Sequence, residues 1–221
     1  MKNKRVSSKI NSEKFKSLKD LEFFCNYNKT VSKDKFKNSL TKSEISYYDN
    51  LFERPSPKKV QIAQKLYSIN SNIFNDYYRL SKSEYENKVE ELDFSVEEVK
   101  QLMRDLKESE IKLKKNIKVH RGFEVVNIDA KKLKETQGYI STSVDKAIAC
   151  GYTRGTGKSI SIEVPKGVRI MYLRKYSIYQ KHLEVLIPPK YYIYEYKEEN
   201  IVKYKVKKRK NQNLNKKNNI I

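Results

Sequence analysis

Three pieces of this chain carry side chains that can do chemistry on a charged substrate: Arg121, the hydroxyl run Ser141-Thr142-Ser143, and Glu184. Glu184 stands in HLEVLIPP, where Leu183, Val185 and Ile187 alternate toward one face as in a half-buried strand and Pro188-Pro189 ends it. A carboxylate at the mouth of such a strand is held still, while the polar Tyr- and Lys-bearing loop before it can reach a partner. Arg121 shares strand parity with Ile117, Val119 and Phe123, so a guanidinium points toward the apolar side. Arginine is rarely buried without an anion. Two readings follow: an internal ion pair with a glutamate, or a fork that grips a phosphate or carboxylate. In GYISTS, residues 138–143, Ser141 shares parity with Tyr139 and caps nothing, whereas Ser143 is placed to cap the helix that follows.

Other chemistries fit poorly. RGTGKS, residues 154–159, needs a further glycine where Tyr152 stands to be a nucleotide-binding loop. It also follows a helix and precedes a strand, the reverse of that motif, and it reads as a turn. The only histidines, His120 and His182, and two distant cysteines, Cys25 and Cys150, offer no metal-ligand spacing. No metal is expected, and both thiols are expected free and buried. The 48 Lys and Arg against 27 Asp and Glu give a formal charge of +21. That excess favours anionic partners such as nucleic acid, anionic membrane or a negatively charged cofactor, although A/T-rich codon usage alone also enriches lysine. MKNKRVSSKINSEKFK has basic residues but no apolar run behind them, so no secretory signal is expected. No stretch has the apolar length of a membrane span. A soluble, cytoplasmic, monomeric protein is expected, acting in its own cell or in a host cell.

The elements that must position these residues change period midway. Residues 12–25 and 41–52 carry apolar stripes at helical spacing. Ser56-Pro57 reads as a cap followed by proline at the first helical position, with helix to about Leu80 broken near 68–72. Ser95 and Glu98 form a capping box for a helix to about Leu113. After Asn116 the period becomes two, giving short strands around Ile117–Phe123, Ile160–Val164, Val168–Tyr172 and Leu183–Ile187. YYIYEY and IVKYKV then flank the turn-like KEEN. A short helix over about 144–150 interrupts them, capped by Ser143 and ended by Gly151. The expected fold class is α+β: a helical N-terminal lobe packed on a mixed, mostly antiparallel β-sandwich. Its parts are a basic extension (1–40), a functional domain (41–202, helical to 115 and strands from 116), and a basic Lys/Asn-rich tail (203–221).

VHRGFE, GYISTS followed by VDKAIA, EVPKG and HLEVLIPP, in that order, resemble the successive motifs of ADP-ribosyltransferases of the Arg-Ser-Glu class. This group includes the enzymatic components of clostridial binary toxins and the Rho-modifying exoenzymes. The likeness runs from about Leu66 to Tyr196. It implies NAD as substrate, cleavage of the nicotinamide–ribose bond, and transfer of ADP-ribose to a target protein. By that resemblance Glu184 contacts the ribose, Ser141 orients Glu184, and Arg121 with Gly122, Thr142 and Ser143 forms the NAD pocket. The family commonly has Glu or Gln two residues before the catalytic glutamate; here it is His182, either a general base toward the acceptor or a surface residue that leaves only NAD hydrolysis. Tyr179 matches an aromatic of the family's substrate-recognition loop, and His120 replaces a usual tyrosine. Two alternatives stay open: an NAD glycohydrolase, and a non-catalytic basic protein that binds nucleic acid or membrane.

Overall fold

The structure is a computed structural model. It describes residues 38–209 except 53, 93, 124–132, 134–136, 154–156 and 200. Among the described residues five helices come first: α1 (Lys42–Phe52), α2 (Lys58–Ile69), α3 (Ser71–Arg79), α4 (Lys82–Glu90) and α5 (Val96–Glu108). Eight strands follow: β1 (Ile111–Lys112), β2 (Ile117–Phe123), β3 (Ile140–Ser143), β4 (Lys158–Val164), β5 (Arg169–Tyr172), β6 (Glu184–Ile187), β7 (Tyr191–Glu198) and β8 (Ile201–Lys208). A short helix α6 (Lys146–Gly151) lies between β3 and β4.

The sheet order is β1-β5-β6-β3-β2-β4-β8-β7, antiparallel except for the parallel pair β4–β8. The β2–β4 and β3–β6 ladders are long, but β2 meets β3 only where His120 faces Ser143. The sheet therefore parts into two halves that fold over one core. Ile117, Val119, Ile162, Ile193 and Val206 from one half meet Ile140, Ile170, Val185 and Ile187 from the other, with Phe52 of α1. The helices cover the outer face of the second half, β5, β6 and β3, in a second core, where Tyr67, Phe74, Val99 and Leu106 pack on Tyr139, Met171 and Leu186. Val185 and Ile187 enter the sandwich core while Leu186 faces the helices, which is the alternation expected of a two-sided strand. The α+β architecture of a helical lobe on a mixed sandwich is the one expected.

Several local expectations are corrected. Pro57 is itself the cap residue of α2, and Ser56 instead accepts a bond on its carbonyl from Gln61. Helix α5 stops at Glu108 rather than near Leu113, because Ile111 and Lys112 extend to pair with β5 and Leu113 enters the sandwich core. Asp145, not Ser143, caps α6 by accepting from the Ala147 amide at 2.7 Å. The basic segment from residue 203 is not all tail, since β8 carries it to Lys208. Cys150 is exposed rather than buried. The stripe over residues 12–25, and Cys25 with it, lies outside the described residues. The break within 68–72 falls at Asn70, and Ser95–Glu98 forms the expected reciprocal box. A second box, Ser81 with Glu84, starts α4.

One close approach fixes α6 against β2. A Cβ on Gly122 would lie 2.0 Å from the carbonyl oxygen of Ala149. Glycine at 122 is thus what lets the helix seat on the strand. Gly122→Ala is expected to cost about 1–3 kcal/mol, the usual penalty of overpacking. Thermal unfolding checks this, and an unchanged melting temperature would show that α6 can slide away freely.

Candidate active site

The place where the two half-sheets part is a cleft of about 280 Å³ lined by His120, Arg121, Gly122, Ser141, Thr142, Ser143, Tyr152, His182 and Glu184, with Ile148 and Ala149 from α6. Pairing sets the positions. In the β3–β6 ladder Ser143 stands opposite Glu184 and Ser141 opposite Leu186, so both serines share a face with the carboxylate. Thr142, opposite Val185, faces the other way. The Ser141 hydroxyl donates to Glu184 Oε1 at 2.5 Å. Arg121, half-buried, donates from Nη1 to the Ser141 carbonyl at 2.8 Å. No carboxylate lies within ion-pair distance of it among the described residues, which is not the internal salt bridge that one of the two readings expected.

Burial is the dominant influence on Glu184 and pushes its pKa up; the Ser141 bond and the Arg121 charge pull it down without winning. Arg121 is also pushed down, first by burial, but a guanidinium stays protonated. Arg79, at the end of α3, and the phenol of Tyr67 both act electrostatically on Arg121. Tyr67 is buried, and its pKa is raised first by that burial and then by Glu184. Behind it Asn75 donates to the Tyr67 hydroxyl at 3.3 Å and accepts from the Tyr139 amide at 2.7 Å. Gly138 sits at φ +88°, where a Cβ would be 2.7 Å from Asn75 Oδ1. That clamp ties the entry of β3 to helix α3.

The other hydroxyls of the run are spent on scaffolding. Thr142 Oγ1 donates to the Val185 carbonyl at 2.7 Å. Ser143 Oγ donates to the His182 carbonyl at 2.7 Å and accepts from the Asp145 amide. Burial raises the pKa of Asp145, yet bonds from Ser39, Ala147 and Leu40 outweigh it and hold the carboxyl below its ordinary range. The start of the described chain is thereby tied to the helix that walls the cleft.

His182 is 8% exposed, which removes the surface-residue reading. It ends a 3₁₀ turn (Gln180–His182) and is stacked on Tyr179, with centroids 4.9 Å apart and planes 7° from parallel. Its Nδ1 shares a hydrogen bond of 2.8 Å with the hydroxyl of Tyr152, a residue 48% exposed. Leu183, between that turn and β6, is left-handed at φ 48°, a conformation costing on the order of 1–3 kcal/mol. Its side chain is buried in the sandwich core, which holds it there. His120 bonds Ser161 at 3.0 Å, and its pKa is lowered first by burial and then by Lys146 and Lys118. Of the residues expected from sequence, the cleft brings together Arg121, Ser141, His182 and Glu184, and Tyr179 stacks on His182 without lining it; Tyr152 at the cleft and Tyr67, Asn75 and Arg79 behind it carry no such expectation. The i, i+4 pair of Asn75 and Arg79 on one helix face was the available signal for two of these.

The profile of the ADP-ribosyltransferase exoenzyme family matches residues 34–220, taking in segments the sequence motifs had left outside. Among solved structures, the chain is similar to an ADP-ribosyltransferase from Clostridium botulinum, with 20% identity, 78% of this chain and 98% of that one covered, and a TM-score of 0.53. The C3 exoenzyme of Clostridium limosum gives 18% identity, coverage of 79% and 98%, and a TM-score of 0.51. A protein from S. aureus, solved with NAD, gives 18% identity, coverage of 79% and 99%, and a TM-score of 0.51. At these identities the likeness is one of fold. No curated protein sequence matches the chain.

The raised pKa of Glu184 has a sign that stability can test. Folding raises its proton affinity, so its contribution to stability is present below the unfolded carboxylate pKa and is lost as pH rises through the folded one. Glu184→Gln keeps an acceptor for Ser141 and removes the charge. The variant is expected to melt above the wild type at neutral pH, with the gap closing as pH falls through the carboxylate range. A variant that melts lower at neutral pH would contradict this.

Proposed function

The chain belongs to the ADP-ribosyltransferase exoenzyme family and uses NAD as its substrate; on that premise we propose that it transfers the ADP-ribose of NAD to a side chain of a target protein. The observation that carries the reading is Glu184, bonded to Ser141, in a cleft lined also by Arg121 without a carboxylate partner among the described residues. The donor set suits NAD. A diphosphate calls for cations, supplied by Arg121 with Arg79 near it. A ribose hydroxyl calls for an acceptor, supplied by Glu184.

The substrate brings its own leaving group: the nicotinamide departs with the bonding electron pair and becomes neutral. Positive charge then develops on the ribose, and the Glu184 carboxylate balances it from a fixed position. Ser141 holds that carboxylate in place. Gly122, Thr142 and Ser143 shape the walls. The acceptor forms the new bond at the ribose carbon and gives up a proton, for which His182 is the assigned base. Because His182 is nearly covered, its contact with the acceptor runs through the hydroxyl of Tyr152, a residue about half exposed. Tyr179 and the loop from Leu173 to His182 meet the target protein, and the basic termini favour an acidic target surface.

Labelled NAD in a cell lysate tests this. The wild type is expected to label a protein band, and Glu184→Gln to reduce labelling about 10²–10³-fold, as removal of a principal electrostatic stabiliser does. His182→Gln is expected to lose transfer while keeping nicotinamide release. Nicotinamide release without any labelled protein in the wild type would leave a glycohydrolase, and no turnover by the wild type would end the catalytic reading. The pH profile gives a second check. Activity requires ionised Glu184, so its acid limb should lie above the ordinary carboxylate range. Ser141→Ala removes a bond that lowers that pKa, and should move the limb higher still.

A further inference from the structure

The outer face of β7 and β8 carries two parallel rows that the cleft does not use. Tyr192, Tyr194 and Tyr196 stand on β7, paired across to Lys207, Lys205 and Lys203 on β8. The alternate residues Ile193, Tyr204 and Val206 are buried in the core, so both rows face outward. The rings form a ladder, with centroids 6.5 Å apart from Tyr192 to Tyr194 and 5.6 Å from Tyr194 to Tyr196. Cations lie at the rings: Lys207 Nζ is 5.1 Å from the Tyr194 centroid, and Arg209 Cζ 5.5 Å from that of Tyr192. The same face continues through β4 and β2, where Lys118 stands opposite Glu163 and His120 opposite Ser161. Since Glu163 neighbours Lys205 on β8, the next register row runs His120, Ser161, Lys203, Tyr196, from the cleft to the sheet edge.

We propose that this face binds a single-stranded polynucleotide, its bases on the tyrosine row and its phosphates on the lysine row. Each row repeats every two residues, about 6.8 Å along a strand, a pitch suited to one nucleotide of a stretched chain. Rings that accept any base by stacking, beside cations that track the backbone, are how such strands are held without sequence preference. The two carboxylates on the face form ion pairs at the surface, Glu198 with Lys203 exposed and Glu163 with Lys205 about one-third exposed; such pairs contribute little and yield to phosphate. The segments 1–37 and 210–221 are themselves basic, so charge complementarity assigns the face to an anionic partner and not to them. An anionic bilayer fits less well. The aliphatic side chains at the hairpin tip, Ile201 at 59% and Val202 at 42% exposed, stand beside Glu198 and Glu199, which such a surface repels.

The test uses the full chain, fluorescein-labelled oligothymidylate and oligouridylate, and anisotropy between about 50 and 200 mM salt. Saturable binding that weakens with salt is expected for either strand. The double variant Tyr192→Leu with Tyr194→Leu, which leaves charge untouched, should bind at least about fivefold more weakly, while the corresponding double Phe variant binds as the wild type does. Replacing Lys203, Lys205 and Lys207 by Ser should reduce the slope of log affinity against log salt by about 2. Circular dichroism checks folding; should the Leu variant misfold, the salt slope of the Ser variant decides. Leu-variant binding equal to the wild type would move the contact to the basic termini and overturn the proposal. So would absence of saturable binding at the lowest salt. Tighter binding to phosphatidylserine vesicles than to either strand, lost in the Leu variant, would reassign the face to a membrane.

Discussion

Across the described residues the two halves of the sheet are joined by one backbone pair, His120 opposite Ser143. A continuous ladder there would seal the strand ends with hydrogen bonds and leave no room between them. Because the ladder stops after one pair, β2 and β3 diverge and the side chains beyond the junction line a cleft. Arg121 follows His120 on one side of the opening, and Ser141 precedes Ser143 on the other. Helix α6 closes the flank only because residue 122 has no side chain. The geometry of the site is therefore a property of sheet pairing, and the loops are fitted to it.

Within that opening the molecule keeps a carboxyl group where burial opposes its charge. Two influences favour ionised Glu184, the Ser141 hydroxyl and the Arg121 charge, and burial outweighs both. A protein optimised for stability would place Gln there, or bring Arg121 into a direct ion pair. Instead Arg121 spends a hydrogen bond on a backbone carbonyl and keeps its charge at a distance. Under the proposed function the countercharge arrives with the substrate: phosphate for the arginine, developing positive charge for the glutamate. The left-handed Leu183 is strain of the same kind, held at the edge of the site by a core that the rest of the sandwich provides.

Alternation made much of this legible from the residues alone. Leu183, Val185 and Ile187 do share the sandwich core, and the parity of Ser141 with Tyr139 does turn both away from it. The capping box at Ser95 read true because both partners lie within four residues. Ser143 looks like a helix cap for the same local reason, yet the cap is Asp145, whose carboxylate also accepts from Ser39 and Leu40, more than a hundred residues away in sequence. Tyr152 escaped notice because its importance lies in a bond to a residue thirty positions on. Leu113 fits a helical stripe, so spacing carries α5 too far; only its backbone bond to Val168 and its place in the sandwich core show that it belongs to the sheet side. What depends on partners distant in sequence has no signature in spacing.

The tyrosines show the same limit from the other side. YYIYEY alternates correctly and announces a strand, but alternation alone says nothing about what stands across from the outward residues. The register of the β7–β8 hairpin sets each outward tyrosine opposite a lysine, and only then does a composition that could reflect codon usage become a patterned surface. A random excess of lysine would scatter over both faces and all elements. Here the buried face of β8 holds Tyr204 and Val206 while its outward face holds Lys203, Lys205 and Lys207, so the hydrophobic core itself sorts the charge into a row. The row then leads across Ser161 to His120, the residue at which the sheet opens. Under the proposed function, one junction in one sheet would set both where the nucleotide substrate enters and where a polyanion lying on the outer face arrives.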